Sequence, residues 1–368
     1  MANVKELELV GQGRVCDIYR ILGEPDWLFL NRSDRFYLGE QHFPGEIPNK
    51  GIILNQMSIK WFDLLQKEGI KNHIITADPK KMILLGATTD MIGSCVIVEN
   101  YKVLPIISVV RGYVTDSPSW ELYINGQTPR EMFGNTLPAG LKNGDKLTKP
   151  IYTPKVKMAD GKTRCITFKE SLEVIQDFLK DILVSEKHMS DEELYLTEDK
   201  IEYISEDIAY DIQEISLRAY NFAYKYAIER GIIIADAKLE FGLHFDVKRG
   251  IFEVVLVDEI FTPDSARFWD MSAYETGSIQ EIDKNSIKEI CSSNFGWNEG
   301  STPPELPENL LREAGDIYTD IYQQLFKENA LAMFNRIMYE WSEAEKLVSG
   351  MLEESTQKEI AGYLNNPN

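Results

Sequence analysis

The sequence predicts an α+β chain, because its strand-like and helix-like segments come in separate runs. Residues up to about 105 carry turn signals at Gly11, Gly13, Gly23, Pro25, Gly45 and Pro48, spaced as short strands require. Apolar residues recur at helical spacing from 168 to 230 and again from about 306 to 364. Between those helical stretches, "GIIIADAKLEFGLHF", the turn "DVKRG" and "IFEVVLVDEIF" read as a β-hairpin.

One helix interrupts the strand-rich start. Leu54, Met57, Trp61, Leu64 and Leu65 fall on one face, and Gly69 ends the run. At that spacing Met57 and Trp61 are core residues. "MILLGATTDMIGSCVIVENYKVLPIISVVRGYV" reads as several β segments that lead into Arg111. Residues 113–165 are rich in proline and glycine, and so long an irregular stretch is often functional. Ile208, Ile212, Ile215, Ala219, Phe222 and Tyr226 form a helical stripe with Gly231 as its C′ residue. The acidic stretch "SDEELYLTEDKIEYISEDIAYD" reads as a solvated face.

Composition excludes several function classes. The chain has 368 residues and a net charge of -20. Such a charge repels nucleic-acid phosphates and anionic lipid, so no nucleic-acid or membrane partner is expected. It also repels nucleotides, so a phosphate site must assemble a local positive spot. The four cysteines form no CxxC pair, and the four histidines show no HxH or HExxH spacing. The start "MANVKELELVGQG" has no apolar leader, and no run reaches 18 apolar residues. Free thiols and a soluble cytoplasmic protein follow as expectations.

The hairpin carries the chemistry. Side chains alternate along a strand, so Asp236, Lys238 and Glu240 share one face and Ala237, Leu239 and Phe241 the other. With a turn centred near Lys248 or Arg249, even positions face even positions, and Asp258 joins the face of Glu240. Two carboxylates of this kind suit Mg²⁺, whose other ligands are commonly substrate phosphates. A surface salt-bridge ladder is the alternative. Asp264, Ser265 and Arg267 follow at once, which favours a phosphorylated ligand.

"RGIIIADAKLEFGL" with "LVDEIFTPDSARFW" resembles the signature pair of the SAICAR synthetases. "GRVCDIY", "IPNKGIILNQMSIKWF", "VVRGYVTDSPSW", "LPAGLKNGDKLTKPIYTPKVK" and "GWNEGSTPPELP" are similar to further blocks of that family, in the same order. The resemblance runs from about residue 11 to 325. It implies a small antiparallel β lobe and a larger α+β lobe with ATP between them. The expected divisions are 1–110 as the ATP-covering lobe, 111–305 as the catalytic lobe, and 306–368 as a helical segment packing on the catalytic lobe. The implied reaction uses ATP and Mg²⁺ to join the carboxylate of an imidazole ribonucleotide to the amine of L-aspartate through an acyl phosphate. Glu240 and Asp258 correspond to metal ligands, and Lys238, Asp236 and Asp258 to the catalytic group. Gly13, Arg14, Asp17 and Glu240 fall on the nucleotide side. Arg111, Ser117 or Ser119, Asp264, Ser265, Arg267 and Glu40 fall on the substrate side. The partners are small molecules, and a homo-oligomer stays open.

The chain also departs from the family pattern. Arg14 stands where lysine is usual, and Cys16 where a basic residue is. Tyr37–Leu38–Gly39–Glu40 replaces "SAFD", Ile107 replaces a glutamate, and "TDSPS" replaces a shorter loop. Three readings therefore remain: the family ligase, a paralogue acting on another carboxylate or amine, and an inactive binding protein. Retention of Lys238, Glu240, Asp258 and Arg267 together argues against the last.

Overall fold

The computed structural model describes residues 4–115, 118–124, 126, 131–158, 162–185, 198–246 and 251–365. In chain order the first elements are β1 (Leu7–Gln12), β2 (Cys16–Ile21), β3 (Glu24–Arg32), β4 (Arg35–Leu38), β5 (Gln41–Glu46) and helix α1 (Lys50–Lys67). Gly69 follows α1 at φ +77°, a conformation that only glycine adopts at little cost. Next come β6 (Ile74–Thr76), α2 (Pro79–Leu84), β7 (Cys95–Glu99), β8 (Lys102–Tyr113) and α3 (Pro118–Ile124). The "MILL" expected as strand is thus the end of a helix. Asp78 caps it by accepting from the Lys80 amide at 3.1 Å, and Pro79 supplies a fixed first-turn φ. β9 (Glu131–Met132), β10 (Asn135–Thr136), β11 (Lys146–Tyr152), β12 (Lys155–Lys157) and β13 (Thr163–Cys165) fill the turn-rich region. Then follow α4 (Phe168–Ser185), α5 (Glu198–Ile228), β14 (Ile232–Asp246), β15 (Ile251–Val257), β16 (Ala266–Asp270) and α6 (Met271–Glu275). α7 (Lys284–Phe295), α8 (Glu308–Phe326) and α9 (Ala330–Asn365) complete the chain.

The chain divides into two compact units. One is Met1–Lys60, His73–Asn100 and Lys284–Asn368, and the other is Trp61–Asn72 and Tyr101–Asp283. In the first, β1-β2-β3-β7-β6 form an antiparallel sheet, with β4–β5 as a separate hairpin. Alternation sends Phe29 and Ile97 to one face, with Ile21, Met82, Met91 and Cys95, and sends Leu30, Val96 and Val98 to the other.

The C-terminal helices differ from expectation, because residues from 284 onward cluster with this first unit and not with residues 111–283. The reason is apolar. Trp341 of α9 is 2% exposed and completes the Phe29–Ile97 cluster, and Gly315 of α8 lies close against the Pro48 carbonyl. Asn329 starts α9 by accepting from the Ala332 amide at 3.1 Å.

The second unit is built on a seven-stranded antiparallel sheet, β13-β12-β8-β14-β15, with β11 also on β8 and β16 also on β14. β8 and β14 are each long enough to pair with two short strands on one edge. The predicted apolar face holds, since Ala237, Leu239 and Phe241 are fully buried. α5 crosses at Gly112, where any side chain would collide with the Tyr220 hydroxyl that donates to the Ile234 carbonyl at 2.6 Å. Gly231 ends the preceding turn at φ +75°, as expected. All four cysteines are free thiols. Among the described residues no helix is long and apolar enough to cross a membrane.

Candidate active site

Three strands set the central cluster. The register places Asp236 of β14 opposite Arg111 of β8 on one side and opposite Arg267 of β16 on the other. Cross-strand partners share a face, so a carboxylate stands between two guanidinium groups. Its Oδ2 lies 3.5 Å from Arg111 Nη1 and 3.8 Å from Arg267 Nε, and accepts from the Thr115 hydroxyl at 3.4 Å. Arg111 is 3% exposed, and its Nε donates to the Thr153 hydroxyl at 2.9 Å. Burial pushes the Arg111 pKa down, and the Asp236 carboxylate pushes it back. Arg111 is thus a member of a buried ion pair with Asp236.

The same sheet face continues outward. Lys238 pairs with Val109, and Glu240 with Ile107, which in turn pairs with Lys155 of β12. Lys238 is exposed, and Lys157 Nζ reaches the Glu240 carboxylate at 2.6 Å. Lys155, Lys157, Arg111, Lys238 and Arg267 thus outnumber Asp236 and Glu240 on this face. A face of this charge attracts phosphate even in a very acidic chain. Ile107 is a half-buried aliphatic side chain within this charged row.

The hairpin register corrects one expectation. Glu240 faces Val257 and Asp246 faces Ile251, so even positions face odd ones. Alternation alone does not bring Asp258 to the face of Glu240. Asp258 instead follows the end of β15 with φ +63°, a left-handed conformation that turns the chain out of the ladder. Its direction is set by the loop and not by strand parity. Phe261, at φ +48°, is a second non-glycine residue in that region, and its carbonyl accepts from Trp61 Nε1 at 3.0 Å. Each such residue costs on the order of 1 kcal/mol, which the buried loop must offset.

The loop from 259 to 265 is held by internal hydrogen bonds and by bonds to neighbouring strands and helices. The Thr262 hydroxyl donates to Glu259 at 2.9 Å, and the Thr262 amide donates to the Ser265 hydroxyl at 3.0 Å. The Asp264 amide donates to the Thr262 hydroxyl at 3.3 Å, and the Lys238 amide to the Ser265 carbonyl at 2.7 Å. Ser265 is 8% exposed and acts here as a loop former. Asp264 is half-buried, as an Asx-type loop residue can be.

Gly13 and Arg14, in the glycine loop between β1 and β2, and Asp17 of β2 belong to the first unit. Arg14 Nη1 donates to the Gly39 carbonyl at 3.0 Å and lies 3.1 Å from Glu40. Asp17 accepts both arms of the Arg35 guanidinium, at 2.8 and 3.1 Å. Glu40 and Asp17 are therefore each paired with an arginine of their own unit. Ser117 lies outside the described residues, and Ser119 falls within α3.

Sequence reasoning missed Lys157, Thr153, Thr115 and Arg35. "TPKVK" was visible as a block, but only the folded chain pairs Lys157 with Glu240. For a metal, Glu240 and Asp258 offer hard oxygen donors, and no group of three His, Cys, Asp or Glu gathers among the described residues. Oxygen donors of this type are the chemistry that Mg²⁺ shares with substrate phosphates, and not that of a closed protein cage.

Comparison with known proteins agrees with this architecture. The family model described as SAICAR synthetase matches residues 9–304. A phosphoribosylaminoimidazole-succinocarboxamide synthase of Maridesulfovibrio salexigens is 33% identical over 326 residues, covering 88% of this chain and 95% of that protein. Its namesake in Thermodesulfovibrio yellowstonii is 31% identical over 88% of this chain and 97% of that protein. Among solved structures, the SAICAR synthase of Saccharomyces cerevisiae complexed with SAICAR superposes with a TM-score of 0.68 at 27% identity, covering 88% of this chain and 96% of that one.

Proposed function

Because this chain belongs to the SAICAR synthetase family, we propose that it is an ATP-dependent ligase joining the carboxylate of carboxyaminoimidazole ribonucleotide to the amine of L-aspartate, in purine biosynthesis in the cytoplasm. The observation that carries the reading is the cationic sheet face around Arg111, Lys238 and Arg267, in a chain of net charge -20.

A carboxylate is a poor electrophile, and phosphorylation gives it a good leaving group. ATP passes its terminal phosphoryl group to the ribonucleotide carboxylate, forming an acyl phosphate and ADP. The aspartate amine attacks the acyl carbon and gives up one proton to solvent, the C–O bond to phosphate breaks, and phosphate departs as the amide forms. Mg²⁺ held by Glu240 and Asp258 would neutralise charge on the transferring phosphoryl group. Gly13 and Arg14 would cover the ATP phosphates. Lys238 is exposed beside Glu240 and would neutralise the reacting carboxylate. Arg111 and Arg267 would grip the ribonucleotide phosphate with planar donors, oriented by Asp236. Asp264 and one serine of "TDSPS" would complete that subsite.

A second reading, a paralogue that uses the same ATP chemistry on another amine or carboxylate, is favoured by Ile107. Its aliphatic side chain sits between Lys155 and Glu240 and offers neither charge nor hydrogen bond. ADP release decides between the two readings. It is expected only when ATP, the ribonucleotide and L-aspartate are all present, each being omitted in turn. ATP binding without turnover in the complete mixture would move the assignment to the paralogue, and no ATP binding would leave only a binding protein.

A further inference from the structure

We propose that Arg35 is the positioning residue that shapes the glycine loop for ATP, an inference that rests on the ligase reading above. A loop that covers polyphosphate must present N–H groups and turn its carbonyl oxygens aside, because a carbonyl dipole aimed at phosphate repels it. One side chain does this sorting here. Arg35 Nη2 donates to the Gly13 carbonyl at 2.8 Å, and Nε donates to the Arg14 carbonyl at 3.4 Å. The same guanidinium grips Asp17 through both oxygens, at 2.8 and 3.1 Å. The Gly13 amide closes the loop onto the Cys16 carbonyl at 2.7 Å. The amides of Arg14 and Val15 make no hydrogen bond among the described residues. Carbonyls are thus collected on the Arg35 side, and two successive amides are left to face a phosphate.

Arg35 is itself held by the core. Its carbonyl accepts from Lys50 Nζ at 2.8 Å, and Lys50 is 1% exposed, with the Tyr318 ring 6.0 Å from that nitrogen. The Arg35 and Asp17 side chains are 18% and 14% exposed, whereas Arg14, at the tip, is 47% exposed. Order therefore passes from a buried lysine, through a partly buried bidentate pair, to an exposed loop. Asp17 acts in this arrangement as the anchor of the loop. The fork matters because five donors in one plane serve two carbonyls and a carboxylate together, and an ammonium group cannot copy it.

The test is calorimetric binding of ATP, and separately of SAICAR, to the full chain and to Arg35→Gln, Arg35→Lys, Asp17→Asn and the Arg35→Gln/Asp17→Asn double variant. Arg35→Gln is expected to weaken ATP binding by about tenfold or more while SAICAR binding stays within about twofold. Its thermal midpoint should stay near that of the parent chain, and Arg35→Lys should recover little of the lost affinity. The double variant should bind ATP no more weakly than Arg35→Gln alone, since both changes break one link. Parental ATP affinity in folded Arg35→Gln overturns the proposal. So does an equal loss of both ligands with a falling midpoint, which marks a purely structural role. If Arg35→Gln fails to fold, Arg35→Lys decides: selective loss of ATP supports the proposal and normal ATP affinity overturns it. A parent chain that binds no ATP overturns the ligase reading together with this one, whereas normal ATP binding in both parent and variants overturns only this one.

Discussion

Asp236 is the residue on which most of the site converges. It is 7% exposed, and it is the cross-strand partner of both Arg111 and Arg267. Removing its charge leaves two guanidinium groups side by side, one of them buried. Removing one member of a buried pair costs on the order of 3 kcal/mol, and distances of 3.5 and 3.8 Å place this case toward the lower end. Asp236→Asn is expected to lower the urea midpoint and to raise KM for the ribonucleotide, with KM for ATP changed far less. A variant of parental stability and unchanged KM would remove Asp236 from both roles. The face shared by Asp236, Lys238 and Glu240 was legible in the sequence, because strand alternation has period two whatever the partner strand. The position of Asp258 was not, because a left-handed residue past a strand end escapes that period.

At the scale of elements, α9 illustrates a pattern that sequence reads by halves. Its helical nature follows from apolar spacing, but spacing does not say which surface the stripe covers. The structure buries Trp341 among Phe29, Ile97, Met82 and Cys95, on one face of the β1–β3 sheet. Trp341→Ala should therefore cost about 3–5 kcal/mol, and the loss should fall on the unit that carries the glycine loop. Hydrogen exchange is expected to rise first in β2, β3 and β7, ahead of β8 and β14. A uniform rise across all strands would mean that α9 does not stabilise that sheet selectively. The α8–α9 turn adds a polar tie. Glu328 accepts from the Tyr322 hydroxyl at 2.6 Å and lies 2.9 Å from Lys60. Its desolvation is outweighed by these bonds and by the Arg336 charge, so its pKa is lowered. The stabilisation is present above the ordinary glutamate range and is lost as pH falls through the lowered value.

For the whole molecule, net charge governs behaviour that no single contact does. Fifty-nine acidic residues against 39 basic ones leave -20, and that surplus repels itself in the compact state. The Debye length shrinks to about 10 Å at about 0.1 M salt, so added NaCl should raise the thermal midpoint. A falling midpoint would show that attractive pairs such as Lys157–Glu240 outweigh the repulsion. Charge balance, most of the helix and strand segments, and the apolar and charged faces of β14 were determined by the sequence. Each depends on residue type and local periodicity. The tertiary structure decided the hairpin register, the pairing of Lys157 with Glu240, the Arg35 grip on the glycine loop and the placement of α8 and α9. These depend on contacts between residues far apart in the chain, and local spacing carries no record of which distant surface a side chain will meet.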